Sequence, residues 1–475
     1  MGDLRYGSAA GRWVVAAMVL GSALAAIDAT VVGIALPAIG REFGTDLESL
    51  QWVVTAYTLT LAGLLLVAGA LGDRYGRRLV FQIGVVWFAA ASVLCAVATG
   101  PGMLIWSRAL QGVGAALLTP GSLAILQATF HPDDRGKAIG AWSGLGGVAS
   151  AIGPFLGGWL VDAVSWRLIF VINLPLAALV FAMTWRHVPE SRDAEATGRV
   201  DVVGGVLVTG GLIGLTYALI EGPARGLTPV AALGLLLVAF VWWERRVQSP
   251  LLPLGMFRSV AFSVTNIVTF IVYGALGGAL FLLPLQLQQV SGYSALEAGI
   301  ALLPVTVIML LLSSRSGALA ARIGPRLQMS VGPVVVGLGF ALLTRVDESG
   351  TYLTEVLPAV SVFGLGLAIT VAPLTATVLA AVPARHAGIA SAVNNDVARA
   401  ASLIAVAVFP ALAGISGDAY LHPELFSAGF HTASLIAAAL CIAAGLLSAA
   451  TLRTATPCPR TPARHHCALD APPLD

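Results

Sequence analysis

Fourteen apolar stretches, each close to the length that crosses a bilayer, alternate with short polar breaks along the 475 residues. They run 13–37, 50–71, 79–99, 103–127, 137–161, 168–186, 202–221, 229–244, 260–288, 297–315, 328–344, 354–380, 387–414 and 428–452. A helix needs roughly 20 apolar residues to span the hydrocarbon core, and inside lipid only helices and closed barrels satisfy their own backbone groups. Runs of this length predict an all-α membrane protein; the shortest is 229–244. Only 11% of residues are charged, against about 25% in soluble domains. The net charge of +2 gives no reason to expect a nucleic-acid partner. Cys95 and Cys441 lie in apolar runs and Cys458 and Cys467 near the C-terminus, which makes no disulfide framework. The first run has no small-residue cleavage pattern, so no cleavable signal is expected.

Basic residues fix an orientation, because cytoplasmic loops retain Arg and Lys. With the N-terminus inside, 19 of the 26 basic residues fall in inner loops and tails, 4 in outer loops and 3 (Arg108, Arg315, Arg399) within spans. Both termini are therefore expected in the cytoplasm. GALGDRYGRR at 69–78 returns as GALAARIGPR at 317–326, six identities in ten, each copy after the second span of its half. A repeat of halves is one secondary-transporter architecture. The expected organisation is a six-helix bundle (1–190), two additional helices (191–258), a second six-helix bundle (259–452) and a disordered cytoplasmic tail (453–475).

The repeated loop resembles the cytoplasmic loop signature of the major facilitator superfamily. IDATVVGIALP at 27–37 resembles the first-span signature of its fourteen-span drug:proton antiporter branch, with Gly33 where Asn is usual. RALQGVGAA at 108–116 is similar to the fourth-span signature. Gly140 together with GPFLGG at 153–158 is similar to the fifth-span antiporter signature, with Ala149 replacing one Gly. SWRLIFVINLP at 165–175 resembles the start of the sixth span. The resemblance runs from about residue 13 to 452 and implies that fold with 14 spans.

Several residues stand out physically. Asp28 lies about 22 Å along its helix from Trp13 at 1.5 Å per residue, at a depth where a carboxylate costs roughly 2.5–3.5 kcal/mol unless it faces a cavity or a partner. Arg108 in the fourth span sits at a corresponding depth. An Arg keeps its proton, so it acts by stabilising negative charge beside it. The resemblance places both in the cavity of the first half and assigns Asp28 to proton coupling; a fixed structural pair is the alternative. Gly153, Pro154, Gly157 and Gly158 allow close helix approach and a bend, and the resemblance adds a sealing role. Asp73, Arg74, Gly76, Arg77 and Arg78 form a tight inner turn that the resemblance reads as a gate latch, docking near Arg385 and Gly388; topology alone is the bland reading. Asp396 and Arg399 share a face of the thirteenth span, preceded by Asn394 and Asn395. They are either a self-neutralised pair or a second titratable or cation-binding site. Tyr57, Gln111, Asn266, Tyr273 and Gln286 are candidate cargo contacts or helix glue. His465, His466, Cys458 and Cys467 match no zinc pattern, and neither a metal nor another cofactor is expected.

No GxxxxGK[ST] phosphate loop occurs, so ATP drive within the chain is not expected. No span clusters a nucleophile, a base and metal ligands, so an enzyme is not expected either. The reading is a proton-coupled antiporter, acting as a monomer in the cell membrane and exporting drug-like molecules or antibiotics. Its partners are small-molecule cargo, protons and the bilayer. Export of a metabolite, lipid or siderophore, import, and a non-transporting sensor are the alternatives.

Overall fold

The computed structural model describes residues 4–192, 201–225, 228–247, 250–382, 387–415 and 422–452. The structure is helical throughout, apart from a single bridge between Leu4 and Phe130 among the described residues. In chain order the helices are α1 (Ala9–Phe43), α2 (Leu47–Tyr75), α3 (Arg77–Ala96), α4 (Pro101–Thr129), α5 (Pro132–Ala163), α6 (Leu168–Val171), α7 (Asn173–His187), α8 (Val202–Arg225), α9 (Thr228–Glu244), α10 (Val260–Leu285), α11 (Ala295–Ala301), α12 (Leu303–Ile323), α13 (Arg326–Leu343), α14 (Leu357–Ala380), α15 (Ala387–Leu412) and α16 (Pro423–Thr451).

Two expected spans are each built from two pieces. α6 and α7 meet at Ile172, and α11 and α12 meet at Leu302. Pro175 and Pro304 follow these breaks, and each removes an N–H that the preceding turn would have used. Among the described residues, twelve helices are long and apolar enough to cross a membrane, two of them formed by joining these pieces. The 32-residue, glycine-rich α5 and the 17-residue α9 stand outside that set. The chain is a multi-pass integral membrane protein. Trp106, Val164 and Trp185 are at least 69% exposed. That is a cost in water and natural against lipid.

The helices before residue 190 pack on one another: α1 on α5, α7 and α4, α3 on α4 and α7, and α2 on α4. Those after residue 259 do the same: α13 on α14 and α16, α10 on α15 and α16, and α12 on α14. α8 bridges the two groups, touching α2, α15 and its own neighbour α9. Phe81, Phe88 and Phe130 are fully buried in the first group, and Phe340, Phe426 and Phe430 in the second.

The sequence repeat is also a structural repeat. α2 ends at Tyr75, Gly76 turns at φ +125°, and α3 starts at Arg77. α12 ends at Ile323, Gly324 turns at φ +84°, and α13 starts at Arg326. Positive φ is open to Gly without a Cβ clash, so the repeat keeps Gly at both turns. The last Arg of each copy donates to a backbone carbonyl at the end of its own group's final helix. Arg78 Nη1 reaches Val188 O at 3.1 Å, and Arg326 Nη2 reaches Ala449 O at 2.7 Å. Each guanidinium meets the negative end of a helix.

Candidate functional site

Asp28 is the twentieth residue of α1 and fully buried. The RALQGVGAA stretch brings α4 against its neighbours, because Gly112 and Gly114 carry no side chain. A Cβ on Gly112 would lie 2.3 Å from Tyr57 O in α2, and one on Gly114 would lie 2.7 Å from Phe88 N in α3. That close approach carries Arg108 and Gln111 into the interior, where both are buried.

Arg108 Nη1 donates to Asp28 Oδ2 at 2.5 Å and to Gln111 Oε1 at 2.6 Å. Asp28 Oδ1 accepts from Gln111 Nε2 at 2.8 Å and from Asn173 Nδ2 at 2.9 Å. Ser92 Oγ accepts from both amides, at 2.8 and 3.3 Å. Arg108 Nε donates to Val53 O at 3.3 Å, and the guanidinium lies 4.3 Å over the Tyr57 ring. Five elements (α1, α2, α3, α4 and α7) thus converge on one ion pair. Removing two charges from water costs several kcal/mol per ion, and only full hydrogen bonding and good geometry offset it. No side-chain nitrogen or oxygen of Asp28, Arg108, Gln111 or Asn173 is left buried without a partner.

If Asp28 is neutralised, Arg108 still holds Gln111 Oε1, Val53 O and the Tyr57 face. If Arg108 is removed, Asp28 retains only two neutral amide donors. The partners are thus held unequally, Arg108 by Gln111 Oε1, Val53 O and the Tyr57 ring, Asp28 by two amides.

The two helix groups meet at the end of the molecule opposite the Gly76 and Gly324 turns. Asp162 at the end of α5 accepts from Ala295 N (3.2 Å) and Leu296 N (2.8 Å) at the start of α11. A Cβ on Gly158 would lie 2.4 Å from Ala295 O, and one on Gly299 would lie 2.3 Å from Pro154 O. Gln288 Nε2 donates to Ile34 O at 3.0 Å, and Gln51 Nε2 to Val406 O at 2.7 Å. Gly153 and Gly157 seat α5 on Thr30 and Val31 of α1. Toward the other end of α5, Gly136, Gly140 and Gly144 have nothing within 4 Å of a Cβ position, while Ala138 is buried and Trp142 Nε1 donates to Ser22 Oγ of α1 at 2.8 Å. The end that holds Asp162 is sealed by these contacts between the two groups. At the sealed end, the SWR stretch also binds α1: Trp166 and Arg167 both donate to the Glu42 carboxylate at 2.5 Å.

In the Gly76 turn, Asp73 pairs with Arg77 of the same loop at 2.7 Å, while Glu190 accepts from Arg78 N and Leu79 N. The expected docking point at Arg385 lies outside the described residues, and Gly388 is described only as part of the first turn of α15. The tail residues Cys458, His465, His466 and Cys467 also lie outside them. Asp396 makes no ion pair within 4 Å with Arg399, and both of its carboxylate oxygens are buried without a partner. Asn394 Nδ2 donates to Asn266 Oδ1 at 3.2 Å and Thr269 Oγ1 at 2.7 Å, and Asn395 bonds Ser391 O. Among the candidate cargo contacts, Gln111 and Tyr57 belong to the Asp28 network, and Gln286 donates to Val346 O and Ser427 Oγ. Tyr273 is half-buried in α10. Sequence reasoning passed over Asn173 and Ser92. Asn173 sits inside the quoted SWRLIFVINLP stretch, and the one signal that could have found it is an amide in the middle of an apolar span.

Residues 18–407 match the family described as Major Facilitator Superfamily. The puromycin resistance protein pur8 of Streptomyces alboniger is 37% identical over 425 residues, covering 86% of this chain and 83% of that protein. The multidrug resistance protein Stp of Mycobacterium tuberculosis is 35% identical over 413 residues, covering 86% and 76%. The tetracenomycin C resistance and export protein of Streptomyces glaucescens is 35% identical over 420 residues, covering 85% and 76%. Among solved structures, an inward-facing bacterial homologue of the human lysosomal transporter Spinster superposes with TM-score 0.66 at 16% identity over 94% of this chain and 98% of that one. A D-xylose–proton symporter does so with TM-score 0.67 at 15% identity, over 93% and 98%. With sequence match, helical fold and repeated halves in agreement, the chain belongs to the major facilitator superfamily of membrane transporters and is not an enzyme.

Proposed function

We propose that this transporter is a proton-coupled antiporter that exports drug-like small molecules or antibiotics across the cell membrane. One observation carries the reading: a carboxylate in the first helix, sealed from water, whose arginine partner keeps other contacts when the acid is neutralised. A proton can therefore enter and leave Asp28 while Arg108 stays in place to stabilise the returning charge. The drug:proton resemblance and the resistance and export proteins among the relatives support the cargo class. One charge moved across about 100 mV is worth roughly 2.3 kcal/mol, enough to drive export against a gradient. The tetracenomycin C resistance and export protein among the relatives favours a second form of the same reading, in which the cargo is a compound made by the same cell.

In this reading α5 and α9 also cross, which makes fourteen spans: two six-helix bundles flank α8 and α9, and both termini are cytoplasmic. The sealed end is then external, and the conformation is inward-facing. Asp73 and its turn latch the inner gate in the opposite state. Gly153, Pro154, Gly157 and Gly158 close the outer one. Asp396, with no pair to neutralise it, is a second charge site, and the protein acts as a monomer. A panel of antibiotics tested for export in cells lacking their own pumps decides between readings. Export of several compounds that collapses with the proton gradient supports this one, and export unaffected by the gradient contradicts it.

A further inference from the structure

A second pair of acids lies away from Asp28, where α8 and α9 meet. Asp201 precedes α8 and is 7% exposed; Glu244 ends α9 and is 4% exposed. Gly204 N donates to Asp201 Oδ1 at 2.8 Å, and Trp243 Nε1 donates to both of its oxygens at 2.9 and 3.0 Å. Leu252 N donates to Glu244 Oε2 at 2.9 Å. Glu244 Oε1 is buried and receives no donor. It faces the other acid. A Cβ on Gly204 would lie 2.5 Å from Asp201 Oδ2 and 2.8 Å from Glu244 Oε1, so the two carboxyl oxygens border the same small space.

Two ionised carboxylates cannot bond to each other; one proton between them supplies the missing donor and removes the repulsion. Among the described residues no cation takes that role. Arg245 and Arg246 follow in the chain but are exposed and make no ion pair with either acid; Arg246 lies 4.0 Å over the Trp242 ring. On the elements packed against α8, the charged groups of α2 are Glu48, Asp73 and Arg74, those of α15 are Asp396 and Arg399, and Arg258 on the following segment is exposed. The pair's other contacts are N–H groups, which would point hydrogens at a metal ion.

We propose that Asp201 and Glu244 form a proton-binding site, one proton shared between two carboxyls, that ties α8 and α9 to the chain entering the second bundle. Leu252 packs with Met256, Phe262 and Val393 of the second helix group, while Gly205 in the first turn of α8 presses on Val67 of α2. Losing the proton puts two like charges in contact and loosens the joint between the halves. That the site faces the cytoplasm rests on the orientation proposed above, so inner pH is what it would sense.

The test begins with infrared difference spectra of the purified full chain, which need no transport. Wild type minus Glu244→Gln should contain a protonated carboxyl band at neutral pH that vanishes at high pH, and wild type minus Asp201→Asn should do the same. Asn still caps α8, and Gln can donate to Asp201, so both variants keep the fold. Differences holding only ionised-carboxylate bands at every pH would overturn the proposal, as would a band abolished by added divalent cations. In vesicles, raising the pH on the inner face should slow wild-type export relative to Glu244→Gln, since the changed gradient acts on both proteins alike. Superimposable pH profiles would overturn the sensing role. Failure of the antiporter reading itself would instead abolish gradient-driven export in wild type while leaving the infrared result intact.

Discussion

Asp28→Asn and Arg108→Ala should differ in stability, and the direction follows from the partners each leaves behind. Arg108→Ala strands a carboxylate with only Gln111 and Asn173 as donors. Stranding a buried charge costs about 3–5 kcal/mol. Asp28→Asn likewise strands a buried charge, at the lower end of that range because of the contacts the guanidinium keeps. The guanidinium retains Gln111 Oε1, Val53 O and the Tyr57 face, the last alone worth about 2 kcal/mol when desolvated. Arg108→Ala should therefore be less stable than Asp28→Asn by about 2 kcal/mol, roughly a thirtyfold change in the unfolding equilibrium. The double substitution should recover much of that loss, and Arg108→Lys should recover part, since it lacks the planar fork. Thermal unfolding in detergent, followed by thiol labelling of buried Cys441, reads the order. Arg108→Ala unfolding at or above the temperature of Asp28→Asn would refute the reasoning.

Asp162→Ala removes two hydrogen bonds from the sealed end, worth together about 2 kcal/mol; reporter cysteines at that end should become more reactive, and unchanged labelling would contradict the seal. Asp73→Asn should favour the inward-facing state and slow turnover, read from cysteine reporters on the two faces; unchanged accessibility would contradict the latch. Asp396→Ala should raise thermal stability, because it removes a buried carboxylate with no partner, while lowering export of cationic cargo more than neutral cargo; a fall in stability would mean that it has a partner. The backbone N–H of Tyr6, with Lys137 and Arg5, holds Asp134 below the usual carboxylate range. A lowered folded value gives stability that is present above the unfolded pKa and lost as pH falls through the folded one. Amide exchange at Leu4 and Tyr6 should thus rise below about pH 4 in wild type, and already at neutral pH in Asp134→Asn; equal exchange in the two proteins would contradict the tether.

The order of the helices was legible because each helix needs its own apolar run; twelve of the fourteen expected spans are long and apolar enough to cross among the described residues, and α5 and α9 fall outside that set. Ends were less so: the first run reads as 13–37, yet α1 continues from Ala9 to Phe43, since backbone hydrogen bonding carries on through interfacial polar residues. The repeated turn was legible down to Gly76 and Gly324, because only glycine accepts that φ. Asp28 and Arg108 stood out as charges at matching depth. Their supporting amides did not, since an amide in a span looks the same whether it holds an ion pair, glues helices or meets cargo; Gln111 read as a cargo contact for that reason. Spacing set Asp396 and Arg399 on one face of α15, but a shared face does not bring two side chains within 4 Å. Asp201 and Glu244 were not singled out, because nothing local indicates that two acids 43 positions apart close on each other.

The coupling claim rests on Asp28, and purified protein in liposomes tests it most directly. With cargo on one side and a pH gradient imposed, wild type should accumulate cargo against its gradient, and Asp28→Asn should fail to accumulate it while still exchanging labelled for unlabelled cargo. Gradient-driven accumulation by Asp28→Asn at the wild-type rate would contradict the account.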